Sequence, residues 1–178
     1  MTIKNQRGSV MIMTLAVMII IFLFLALATD VTHLYATKIK TRHSLNLALR
    51  AASSQISADA LTDAYNPRVE IMPDDAQSVF NSTLRQNLSL DINNQPYSNS
   101  PVDGPVKVCY FKVVNPFDVP YTYNYNGYSE TIDKVSVTGI ISFPVKMSSF
   151  ACFVSGVPEY QTMYVHSTVG PEITTKPH

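Results

Sequence analysis

Residues Ser9 to Thr29 read SVMIMTLAVMIIIFLFLALAT, without a charged residue, a proline or a glycine. A bilayer core of about 30 Å takes roughly 20 apolar residues at helical rise, so this run is long enough to span it. A single segment in lipid must satisfy its own backbone and is therefore a helix. Apolar side chains fall on every face, with Ser9 and Thr14 as mild polar exceptions. A core helix of a small soluble domain normally keeps a polar stripe. The run also exceeds the apolar core of roughly 7–15 residues expected of a cleaved secretory signal. Ala26-Leu27-Ala28 has the form of a cleavage site, yet the helical pattern continues through it. The expectation is a transmembrane helix over 9–29, behind a short cytoplasmic leader (1–8) that carries Lys4 and Arg7.

Around that helix the chain is ordinary. It has 178 residues with 13 basic and 13 acidic side chains, so there is no basic excess to suggest a nucleic-acid partner. Cys109 and Cys152 allow one disulfide, expected here between the first strand and the segment before the last if the domain is external; in the cytoplasm they would be buried thiols.

Beyond Asp30 the helical pattern persists. Leu45, Ala48, Leu49, Ala52, Ile56 and Ala60 recur every three or four residues, and polar residues such as Arg42, Asn46 and Arg50 take the other side. The pattern predicts an amphipathic continuation over 30–65, as part of one helix from about residue 9 to about residue 63, stopped by Asn66-Pro67. Pro73-Asp74-Asp75 starts a second helix, with Asp74 or Asp75 as its cap and Ala76, Val79, Phe80, Leu84 and Leu88 as its apolar stripe. Residues 91–105 are a polar loop by composition. Strand-like runs follow at 106–114, 134–145 and 161–169, and Asn126-Gly127 marks the turn of a hairpin at 121–128. The tail from Gly170 is expected to be loose. The expected fold class is α+β: a long transmembrane and amphipathic helix, a second short helix, then an antiparallel sheet, with 66–178 as an extracytoplasmic domain.

Catalytic and ligand-binding patterns are missing from the sequence. The histidines show no metal-ligand spacing. There is no phosphate loop, no G-x-S-x-G and no C-x-x-C. We therefore expect no enzyme, no cofactor and no small-molecule substrate. Tyr121, Tyr123, Tyr125 and Tyr128 form either a partner-contact surface or a packed hairpin. Asp30 marks the water boundary or meets a neighbouring chain, and Lys38, Lys40, Arg42 and Arg50 beyond it would meet lipid phosphates or other chains. Flanking charge alone would put the C-terminal domain in the cytoplasm. Long domains translocate largely regardless of such charge, and the tyrosine- and asparagine-rich strands and the cysteine pair fit an external domain better.

Arg7-Gly8-Ser9, the apolar run, the stretch Asp30 to Tyr35 and the alanine-rich stretch Leu45 to Ala52 together resemble the N-terminal module of the Tad (tight-adherence) pilus proteins, the TadE/TadG-like pseudopilins. The resemblance covers about a third of the chain, and the rest agrees only in layout. It implies a pilus-assembly component or minor pilin in the cytoplasmic membrane, single-pass, with its domain outside, at the cell surface or in a pilus. Its implied partners are membrane lipid and other pilin-like subunits, and Gly8-Ser9 is the implied processing site. Members cut by prepilin peptidase carry a glutamate five residues after the glycine, where this chain has Met13. That departure favours the TadG-like branch and bears on assembly contacts at Met13 and Asp30. The competing expectation is a membrane-anchored extracytoplasmic binding domain for a protein or wall polymer.

Overall fold

The computed structural model describes residues 6–148, 152 and 156–172. Most of the leader, Ser149 to Ala151, Phe153 to Ser155 and the tail from Ile173 lie outside the described residues. The elements are α1 (Gln6–Ser53), α2 (Ala58–Leu61), α3 (Pro73–Leu88), β1 (Lys107–Val114), β2 (Tyr121–Tyr125), β3 (Tyr128–Ile132), β4 (Ser136–Lys146) and β5 (Tyr160–Val169). The α+β layout expected from the sequence is the one observed. The chain divides into two compact units, Met1–Ala36 with Lys146–Gln161, and Thr37–Val145 with Thr162–His178.

The larger unit is built on a three-stranded sheet in the order β1-β4-β5, in which β1 and β4 are antiparallel. Side chains alternate along a strand, so central β4 serves two faces. On one, Gly139 lies so close to α1 that a Cβ there would stand 3.2 Å from Leu49 Cδ2. Phe111, paired with Gly139, meets Phe80 of α3 with ring centroids 4.7 Å apart. On the other face, Ile140 and Val114 pack against Tyr123 and Ile132 of the β2–β3 hairpin. With both faces covered, β4 is buried almost throughout. The hairpin turns at Asn126 and Gly127, both at positive φ (46° and 81°), the geometry a tight two-residue turn demands.

Two boundaries differ from the sequence reading. First, α1 stops at Ser53, not near residue 63. The Ser53, Ser54 and Gln55 side chains bond back to the carbonyls of Arg50 and Ala51, competing with the helical ladder. Ile56 then forms a β-bridge with Ile71, and Ser57 caps the separate α2 through Ala60 N–H. The expected 30–65 helix is therefore one helix to Ser53, an extended kink and a single turn. Second, α3 is not capped by Asp74 or Asp75. Met72 is its N-cap without a side-chain bond, Pro73 opens the first turn, and both aspartates stand inside that turn, where negative charge is favourable.

In the smaller unit, the neck between β4 and β5 is closed by Met147 N–H donating to the Glu159 carbonyl at 2.7 Å and by a Lys146–Glu159 ion pair at 3.2 Å. Cys152 N–H bonds Ser148 O, and Gly156 N–H bonds Cys152 O. The start of this connection is held by Asp30 of α1. Its carboxylate accepts from the Ser148 hydroxyl at 2.6 Å and from Ser148 N–H at 3.3 Å.

Candidate functional site

Three features could carry function: the apolar half of α1, the tyrosine hairpin and the carboxylates placed on each. From Val10 to Leu27 the large apolar side chains of α1 are largely exposed, Met13 and Ile20 among them at 70% and 51%. Among the described residues this is the one helix long and apolar enough to cross a membrane, with a mean hydropathy of 3.1 in its best window and none of that window buried. Three of its threonines are satisfied within the helix. Thr14, Thr29 and Thr32 each donate to the carbonyl four residues earlier at 2.8 Å. Gly8 is exposed within α1; the side chain of Ser9 lies outside the described residues.

Asp30 is buried, at 7% exposure, and so is more than a boundary marker. A buried carboxylate without donors is costly, and Ser148 supplies two. The sequence singled out Asp30, but nothing local to it names a partner 118 positions away.

The hairpin tyrosines turn inward. Tyr123 is buried at 5% exposure, and Tyr121, Tyr125 and Tyr128 are half-buried against the sheet. The Tyr110 and Tyr121 hydroxyls lie 2.6 Å apart, and Tyr128 donates to the Tyr164 carbonyl at 3.0 Å. Burial, then the bond to Tyr121, pushes the Tyr110 hydroxyl well above its ordinary range. What the hairpin offers outward is Thr122, Asn124, Ser129 and Thr131.

The expected disulfide is not formed: Cys109 and Cys152 are both free. The pairing of β1 with β4 shifts register between Val108 and Tyr110, which makes Cys109 the extra residue of a bulge. Its thiol donates to Ser142 Oγ, 3.1 Å away.

A polar clasp that sequence reasoning missed ties hairpin to sheet. Glu130 Oε2 accepts from Thr168 Oγ1 at 2.6 Å and from the Tyr123 hydroxyl at 3.1 Å, and lies 3.0 Å from His166 Nε2. Thr168 and Thr138 hydroxyls are 2.9 Å apart, and the His166 ring packs on Tyr128 at 4.9 Å. The sequence offers one signal of it: the i, i+2 spacing of Tyr164, His166 and Thr168, which a strand puts on one face. Burial would raise the Glu130 pKa, but the bonds from Thr168, His166 and Tyr123 outweigh it and hold the carboxyl below its ordinary value. A carboxyl lowered in the fold contributes stability above the unfolded value of about 4.3 and loses it as pH falls through the folded one. Glu130→Gln should therefore flatten the acid limb. Urea midpoints taken from about pH 5.5 to about pH 3 should fall less steeply in the variant. Equal slopes would mean that the clasp contributes nothing through its charge.

The clasp resembles an acid–base pair, but its geometry is that of a strut. Thr168 donates straight to Glu130, and among the described residues no hydroxyl or thiol bonds the His166 ring. Nor do three or more potential metal ligands gather anywhere among those residues. Comparison with protein-family models, with curated proteins and with solved structures finds nothing that matches this chain.

Proposed function

We propose that this chain is a non-enzymatic, membrane-anchored component of a pilus-type assembly, a TadE/TadG-like pseudopilin or minor pilin with its sheet domain outside the cytoplasmic membrane. The observation that carries the reading is α1 itself. One unbroken helix of 48 residues holds an exposed apolar run and, further on, the Leu45, Ala48, Leu49 and Ala52 stripe buried under its own sheet. An anchor that continues as a structural member of the domain is economical where the apolar helix must also pack with other helices, through small and polar side chains rather than through hydrophobicity. Its partners would be lipid before assembly and pilin-like subunits afterwards.

The test is to shear surface filaments from cells and search them for this chain by mass spectrometry. It should be present, and a reporter active only outside the cytoplasm should work when fused after His178. A reporter active only inside would overturn both the topology and the pilus reading. A second reading, an anchored binding domain for a protein or a wall polymer, draws on exposed Tyr65 and Phe117 (99% and 77%) rather than on the hairpin tyrosines. It predicts an external reporter signal with no chain in filaments.

A further inference from the structure

We propose that the α1 face at Ile39, His43 and Leu47 is a docking site for a second copy of this chain, which enters with the acidic, aromatic-tipped loops around Tyr65 and Phe117. The contact goes beyond anchoring and does not depend on the pilus reading.

The chain is neutral overall, but its charge is segregated. From Val31 to Ala58 there is no aspartate or glutamate, while Lys38, Lys40, Arg42 and Arg50 all fall there. From Asp59 to Asp75 there are Asp59, Asp63, Glu70, Asp74 and Asp75 against Arg68 alone. Arg50 is engaged by Glu172 at 3.5 Å. Lys38, Lys40 and Arg42 are exposed, and among the described residues no ion pair joins them to the acidic stretch.

Each charged region has an apolar centre. On α1 the stripe at i, i+4 and i+8 holds Ile39 (59% exposed), His43 and Leu47, with Lys40 and Arg42 flanking it. This stripe faces away from Leu45, Ala48 and Leu49, which the sheet covers. On the loops, Tyr65 projects almost fully and Phe117 nearly so. The two loops are one surface: Asn115 Oδ1 accepts from Ile71 N–H at 2.9 Å, Asn115 Nδ2 donates to Ile71 O at 3.0 Å, and the Arg68 guanidinium sits 5.4 Å over the Phe117 ring. Arg68 is already held by Glu70 at 3.0 Å and Asp63 at 3.5 Å, so Asp59, Asp74, Asp75 and Asp118 give the exposed edge its sign. Aromatic residues in a charged rim are the usual anchors of an interface.

Anionic lipid is the rival for the basic side chains. Lys38 to Arg42 stand about 12–18 Å of helix past Asp30, beyond a Debye length of about 8 Å at physiological salt. A protein surface of opposite charge fits them better. The two patches are different surfaces of one chain, so the contact is heterologous and can repeat from copy to copy.

The test uses full-length chain in proteoliposomes, with p-benzoylphenylalanine in place of Tyr65 on ¹⁵N-labelled copies mixed with unlabelled ones. Illumination should give mixed-isotope crosslinks that map to residues 38–47, and their yield should fall several-fold between about 0.05 M and about 0.5 M salt. Lys38→Glu with Arg42→Glu on the unlabelled copies should cut the yield at least about tenfold, roughly 1.4 kcal/mol. Asp59→Lys with Asp75→Lys on the labelled copies should restore it. Crosslinks confined to one isotope, or mapping elsewhere, would overturn the proposal. So would a yield indifferent to charge reversal, or a photoprobe at Ile39 that captures phosphatidylglycerol in place of protein.

Discussion

Leu49→Ala is expected to destabilise the sheet domain by about 2–5 kcal/mol, a large share of the roughly 5–15 kcal/mol that holds a domain folded. Leu49 is fully buried, and its Cδ2 stands 3.2 Å from where a Cβ of Gly139 would sit. The glycine lets helix and strand approach closely, and the leucine methyl fills the recess it leaves. Truncation removes that methyl, and the β4 backbone, held in its ladder by β1, cannot follow it inward. The void should persist. Gly139→Ala alone should also destabilise, modestly, because its methyl would stand 3.2 Å from Leu49 Cδ2 and the fully buried leucine has to give by a few tenths of an ångström. Combined with Leu49→Ala, the added methyl has room, so the double variant should lose less than the two singles together. Urea unfolding of the full chain in detergent, followed by tyrosine fluorescence since there is no tryptophan, measures all three. A loss under about 1 kcal/mol for Leu49→Ala, or strict additivity, would mean that this recess does not join helix to sheet.

Ile20→Arg should deplete the chain from carbonate-washed membranes by roughly a hundredfold in the insertion equilibrium. The cost of arginine at the centre of a spanning helix is about 2.5–3.5 kcal/mol on insertion scales. Ile12→Arg, near the end of the run, should cost much less, because its long side chain reaches the interface. Both isoleucines are exposed, at 51% and 72%, so neither substitution empties a core. Depth within a bilayer is what separates them. Equal retention of both variants would remove the membrane from the account of this helix.

Local signals carried the sequence reading where structure is local. The apolar run, Pro73 before two aspartates and the Asn126-Gly127 turn each act within a few residues, and the helices and hairpin they imply are present. The reading overran at Ser53, because periodicity continues through Ile56 and Ala60 while the serine and glutamine side chains there dismantle the ladder. It also left the tyrosines facing either way. Which face of a hairpin is covered depends on Thr138, Ile140 and Tyr164, on strands that follow it in the chain. The Cys109 bulge, the Glu130 clasp and the Asp30–Ser148 bond are encounters between distant residues; the i, i+2 spacing on β5 puts His166 and Thr168 on one face, but nothing in the sequence names Glu130, Ser142 or Ser148 as the partners.

Asp30 and Ser148 also set a limit on sliding. With the apolar run in a bilayer, the carboxylate and its two donors mark where the hydrocarbon must end. Moving the helix one turn, about 5.4 Å, deeper would carry the ion and the segment bonded to it out of water together. Moving it one turn outward would strip lipid from Leu27 and Leu25. The pair thus works as a collar on the helix, fixing how deep the apolar run can sit.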